Sequence, residues 1–204
     1  TKFSCRITDF FYDYGNPSIS LLTLEKRQKT AALNHEKLAI IKPKVSIEVR
    51  KKMDAEAIKE AQNGSSVEFQ QEIYKWLLKR KGKRQFEVDF QDVSQTNALL
   101  RDVENINILS TEELCKILNV DGIIISHFSL SKPMSTGGAL VSTLLLGYGA
   151  TNEAVISISI KDCASNSLIW KYDHKYQGGL LSSSAQLVDG LMRHASKKMP
   201  YFKK

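Results

Sequence analysis

The chain has 204 residues, 42% of them hydrophobic and 25% charged, with a formal net charge of +7 and a pI near 9.2. That make-up suits one globular domain with a continuous core, and the absence of an obvious linker argues against a second. The positive balance favours acidic partners such as nucleic acid, anionic lipid headgroups or polyanionic envelope polymers, without choosing among them; the plainer reading is a solvated, well-charged surface.

Residues 1–36 mix aromatics with turn formers and read as an arm or linker, in which Ser18 to Thr23 could be an edge strand. From Lys37 the pattern sharpens: Ala39, Ile41, Val45, Ile47 and Val49 fall on a two-residue period interrupted by Pro43, which gives a first core strand with a bend in it. Met53 to Gln62 favours helix and is expected to stop at Asn63-Gly64. Ser65 with Glu68 then opens a second helix, with Phe69, Ile73, Trp76 and Leu77 on its covered face. That helix ends in the basic run Lys79 to Arg84.

Phe86, Val88 and Phe90 alternate with Glu87, Asp89 and Gln91 as a half-buried strand, parallel to the first. A short helix is expected over Gln95 to Val103. A capping box at Ser110 and Glu113 starts another, which buries Leu114, Ile117 and Leu118. The organising stretch follows, a meander of three strands over Gly122 to Leu130, Glu153 to Asp162 and Ser167 to Tyr176. Ile123, Ile124 and Ile125 mark a strand covered on both faces, and Ala164-Ser165-Asn166 the hairpin turn. Ala185 to Lys198 closes the chain as an amphipathic helix with Val188, Leu191, Met192, Ala195 and Met199 inward. The fold class is therefore α+β, a mixed sheet of about five strands with helices packed on it, in one domain over 37–204.

Chemistry is harder to place. The three cysteines, Cys5, Cys115 and Cys163, include no CxxC and no histidine at zinc-ligand spacing, so neither a metal nor another cofactor is expected. Cys115 reads as a small core residue beside Leu114 and Leu118. A reduced cytosolic and an oxidised envelope protein both remain open. No Gly-x-Ser-x-Gly elbow is present, His127 reads as a hydrogen-bonded structural histidine, and Asp173 and His174 are strand neighbours that face opposite ways. No catalytic residue is assigned.

Two stretches could bind. Ser135 to Ala150 is chargeless and carries four glycines. It lacks the Gly-Lys-Ser/Thr of a phosphate loop and is too short to span a bilayer. It is either a buried cover for one end of the core or an apolar contact surface, with Gly137, Gly138, Leu144, Leu145, Leu146, Gly147, Tyr148 and Gly149 as the contact residues. The basic patch Lys79, Arg80, Lys81, Lys83 and Arg84, with the aromatic stripe Trp170, Tyr172, His174 and Tyr176, gives the second reading, a nucleic-acid-binding module.

Leu118-Asn-Val-Asp-Gly-Ile-Ile-Ile125, a strand ending in Ile160-Lys-Asp162, a turn and Leu168-Ile-Trp170 resemble bacterial envelope lipoproteins of the TolB amino-terminal-like group. That group includes curli-secretion channel lipoproteins and lipoprotein activators of penicillin-binding proteins. Asp121-Gly122, Asp162 and Trp170 match its pattern, while Ser165-Asn166-Ser167 replaces its usual glycine turn. The resemblance spans about residues 37 to 199. It implies an exported protein held at a membrane by a lipid upstream of Thr1, with a role in assembly or binding and not in catalysis. It carries across no functional residue.

Overall fold

The computed structural model describes residues 30–48, 54–103, 105–131, 153–177 and 184–203. Residues 30–33 are helical and lead into the first of six strands: β1 (Lys37–Ile40), β2 (Lys44–Glu48), β3 (Asp89–Phe90), β4 (Gly122–Ser131), β5 (Glu153–Asp162) and β6 (Leu168–Gln177). They form one sheet in the order β3-β1-β4-β5-β6, with β2 also pairing β4. The pairs β1·β3, β1·β4 and β2·β4 are parallel, whereas β4·β5 and β5·β6 are antiparallel. The expected mixed α+β sheet is thus present, one of its positions being filled by two strands in tandem.

The join between those two strands corrects the sequence reading. Ile40 lies opposite Ile124 and Lys44 opposite His127, so the first chain runs one residue longer than its partner through Ile41-Lys42-Pro43. Pro43 cannot donate to the ladder, and the extra residue is accommodated there. Because side chains alternate, one inserted residue exchanges the faces. Ala39 and Ile41 pack in one core layer, but Val45 and Ile47 pack in the other with Leu38 and Ile40. The period-two set is therefore split between two faces; Val49 lies outside the described residues.

A second correction concerns the helix α1, which runs unbroken over Ala55–Gly82. Asn63-Gly64 does not end it. Gly64 stands in open space within the helix, at a cost of about 1 kcal/mol relative to alanine. The helix is held on both sides of this point: Asp54 caps its start, the Ser66 hydroxyl donates to the Pro43 carbonyl at 2.7 Å, and Ala61 and Phe69 are both buried. Packing along the whole length outweighs one unfavourable residue.

The helices α2 (Val93–Leu99), α3 (Thr111–Leu118) and α4 (Ser184–Ala195, continued by a 3-10 turn Ser196–Lys198) complete the layers. Phe69, Ile73 and Leu77 of α1 and Leu187, Val188, Leu191 and Met192 of α4 cover one face of the sheet. There they meet Ile124 and Phe128 of β4 and Ile156, Ile158 and Ile160 of β5. Phe69 stacks on Phe128 with ring centroids 4.0 Å apart. On the opposite face Leu100 with Leu114, Cys115 and Leu118 of α3 covers Ala39, Ile41 and Ile123.

The Ser110 capping box is formed, but Ile117 is exposed and Cys115 takes the inward place expected of it. Phe86, Val88 and Phe90 are buried in the expected alternation, although only Asp89–Phe90 pair as a strand. The inward set of α4, namely Val188, Leu191, Met192, Ala195 and Met199, is buried as expected.

Candidate functional site

At the end of the sheet where β1 and β4 begin and β5 turns into β6, four separate stretches of chain meet around one histidine. The Nε2–H of His35 donates to Asp162 Oδ1 at 2.7 Å, and its Nδ1 accepts from the Tyr201 hydroxyl at 2.6 Å, a tautomer assigned from these partners. Asp162 closes β5, and its other oxygen accepts from the Ser165 backbone N–H at 2.6 Å and from the Ser165 hydroxyl, which fixes the hairpin turn. Asp121 Oδ2 accepts the N–H groups of Glu36 (2.9 Å) and Lys37 (2.8 Å) and sets the entry to β1. Gly122 makes room: a Cβ there would lie 2.8 Å from Leu38 Cδ2 and 2.9 Å from His35 Cε1.

The cluster is enclosed, with side-chain exposures of 3% for His35 and 6% for Asp162. Burial pushes the Asp162 carboxyl up, but hydrogen bonds from Ser165 and His35 outweigh it, and its pKa falls below the ordinary carboxylate value. Burial, joined by the charges of Asp162 and Asp121, raises the Tyr201 phenol well above its ordinary value. A carboxylate, an imidazole and a phenol hydrogen-bonded in line form a proton-relay geometry, yet Tyr201 is held as a neutral donor. These hydrogen bonds join residues 35–37, 121, 162–165 and 201.

The same corner carries a covalent tie. Cys115 of α3 is disulfide-bonded to Cys163, the residue after Asp162, and the Cys163 N–H donates to the Asp121 carbonyl at 3.0 Å. The sequence reading placed Cys115 in the core without pairing it. The matching residue, Cys163, sits in a turn, where neither periodicity nor spacing identifies a partner. His35 gave no sequence signal either, standing alone before β1. The one usable signal was the pair of motif carboxylates, Asp121 and Asp162, which the fold brings to the same corner.

The aromatic stripe lies on the helix-covered side of β6. Trp170 and Tyr172 stack in parallel with centroids 6.1 Å apart, as do Tyr172 and His174, and His174 approaches His194 of α4 at 6.4 Å. Burial and then the neighbouring His194 hold the His174 pKa below the ordinary imidazole value. Lys198 Nζ sits 5.0 Å over the Tyr172 ring. Tyr176 meets α4 at Gly190, where a Cβ would come within 3.1 Å of its ring. His127 is on the other face, exposed, and bonded to the Ser46 hydroxyl at 3.3 Å.

The basic run is not uniform. Arg80 is buried: its guanidinium donates to Ser196 Oγ (3.1 Å) and Gln85 Oε1 (2.8 Å) and lies over the Trp76 and Phe202 rings. Lys81 pairs with Asp89. Lys79, Lys83 and Arg84 are exposed. Gly137, Gly138, Leu144, Leu145, Leu146, Gly147, Tyr148 and Gly149 lie outside the described residues, as do the arm's first 29 positions. Among the described residues no group of three or more His, Cys, Asp or Glu could hold a metal ion, and no helix is long and apolar enough to cross a membrane.

No family model and no curated protein matches the sequence. Several solved structures do resemble the fold. Lipoprotein GNA1162 from Neisseria meningitidis matches with a TM-score of 0.41 at 9% identity, covering 80% of this chain and 99% of that one. The LpoB C-terminal domain from Salmonella enterica gives 0.36 at 7%, covering 76% and 96%. The PelC dodecamer from Paraburkholderia phytofirmans gives 0.38 at 8%, covering 83% and 89%. The likeness is one of fold alone. At these identities and scores it carries no argument about what this chain does.

Proposed function

We propose that this chain is a non-catalytic domain of the bacterial cell envelope that works by protein-protein association, in assembling or activating an envelope complex, and that a lipid upstream of Thr1 holds it at a membrane. The observation that carries the location is the Cys115–Cys163 disulfide, because such bonds persist in oxidising compartments and are reduced in the cytosol. The association reading is supported by how the polar groups are spent. His35, Asp162 and Tyr201 are enclosed and joined to one another, as in a structural brace, while the outer part of the β4–β6 sheet face bears exposed His127, Val155, Lys171 and Asp173. The contact surface of this proposal also includes the chargeless segment from Gly137 to Gly149.

Replacing residues 136–150 by a short flexible linker and measuring molecular mass by sedimentation, with and without membrane extract proteins, tests the association. We expect the unaltered chain to form an assembly or capture a partner and the replaced chain to stay monomeric with its melting temperature unchanged. Equal masses and equal capture for both chains would overturn the assignment of that surface.

A further inference from the structure

The end of α1 and the 3-10 turn after α4 are far apart in sequence but joined in space. Arg80 bonds Ser196, and the Lys203 N–H donates to the Gln85 carbonyl at 2.9 Å. Five exposed cations are thereby gathered at one corner: Lys79, Lys83 and Arg84 from the first stretch, Lys197 and Lys198 from the second. The two acidic residues of the adjoining segment are already engaged, Glu87 with Lys203 and Asp89 with Lys81. None of the five cations makes an ion pair with a described residue; Lys79 and Lys198 are held only over the rings of Trp76 and Tyr172. A concentration of unneutralised charge of this kind raises the self-energy of the fold and is compensated when an anionic surface approaches.

We propose that this corner is an electrostatic docking surface for the anionic headgroups of a lipid bilayer. The aromatic residues favour that partner over single-stranded nucleic acid. A base-stacking platform needs free ring faces, whereas Trp76 lies under Lys79 and Arg80, and Tyr172 under Lys198. What remains for recognition is charge at the surface, and cations near an anionic bilayer each strengthen binding by several-fold. Docking here would also orient the domain, turning the ends of α1 and α4 toward the membrane.

The test is co-sedimentation of the full chain with vesicles of phosphatidylcholine alone, and with vesicles of phosphatidylcholine mixed with phosphatidylglycerol, at low and high salt. A corner variant carries Lys79→Gln, Lys83→Gln and Arg84→Gln. A control of equal charge loss carries Lys42→Gln, Lys44→Gln and Lys59→Gln, all exposed and outside the corner. The expected result is binding to the mixed vesicles only, weakened by salt, reduced at least about tenfold by the corner variant and little by the control. Three results would overturn the proposal: no preference for the anionic vesicles, an equal loss in both variants, or tighter capture of an oligonucleotide than of the mixed vesicles.

Discussion

Gly122 shows how much one residue can decide. It lies opposite Leu38 in the β1·β4 ladder, and the space a side chain would take is filled by the Leu38 methyl and the His35 ring. Neither neighbour is free to withdraw, since both are buried and the ring is bonded to Asp162 and Tyr201. Gly122→Ala is expected to destabilise the fold by about 1–3 kcal/mol in a urea titration. The same cluster sets the pH limits of stability. The folded pKa of Asp162 lies below its unfolded value of about 4, so its contribution is present above that pH and is lost as the pH falls through the lowered value. The folded pKa of Tyr201 lies above its unfolded value of about 10, so its contribution is present below that pH and fades as the pH rises beyond it. Melting temperatures measured across pH should therefore fall at both ends, and Asp162→Asn should flatten the acid limb and weaken the alkaline one in part, since the Asp162 charge adds to burial in raising the Tyr201 phenol.

At the scale of elements, the sequence was most legible where one face alternates without interruption. Ile156, Ile158 and Ile160 placed β5 to the residue, and Leu191, Met192 and Ala195 placed α4, because a single period ran through each. It was misleading where a local signal conflicted with packing at a distance. Asn63-Gly64 has the chemistry of a helix stop, but nothing at that point requires the chain to turn, and the sheet offers α1 a surface on both sides of it. Gly64→Ala should accordingly stabilise the protein by about 0.5–1 kcal/mol, as a residue in open space inside a helix would. A decrease in stability would mean that the glycine serves as a left-handed cap between two helices. Likewise, the inserted residue at Ile41-Lys42-Pro43 exchanged the faces of the first strand, which no period-two count can register. The His35 cluster was hidden for a different reason: its members come from four regions of the chain, and only Asp121 and Asp162 belonged to a recognisable pattern.

For the whole molecule, one corner closes the fold and another carries the excess charge. Asp121, His35, Asp162, Tyr201 and the Cys115–Cys163 bond tie the start of β1, the end of α3, the β5–β6 turn and the carboxyl-terminal segment together. Cross-linking residues 48 apart in sequence restricts the unfolded chain, a contribution of about 4 kcal/mol in the loop-entropy picture. A protein that relies on such a tie belongs where the tie is maintained, which is why the proposed envelope location stands or falls on it. The decisive measurement is thiol trapping in intact cells, followed by mass spectrometry of the peptides that carry Cys115 and Cys163. The account predicts that they are recovered joined to each other and released only by reductant; recovery of both with the trapping label on free thiols would contradict it.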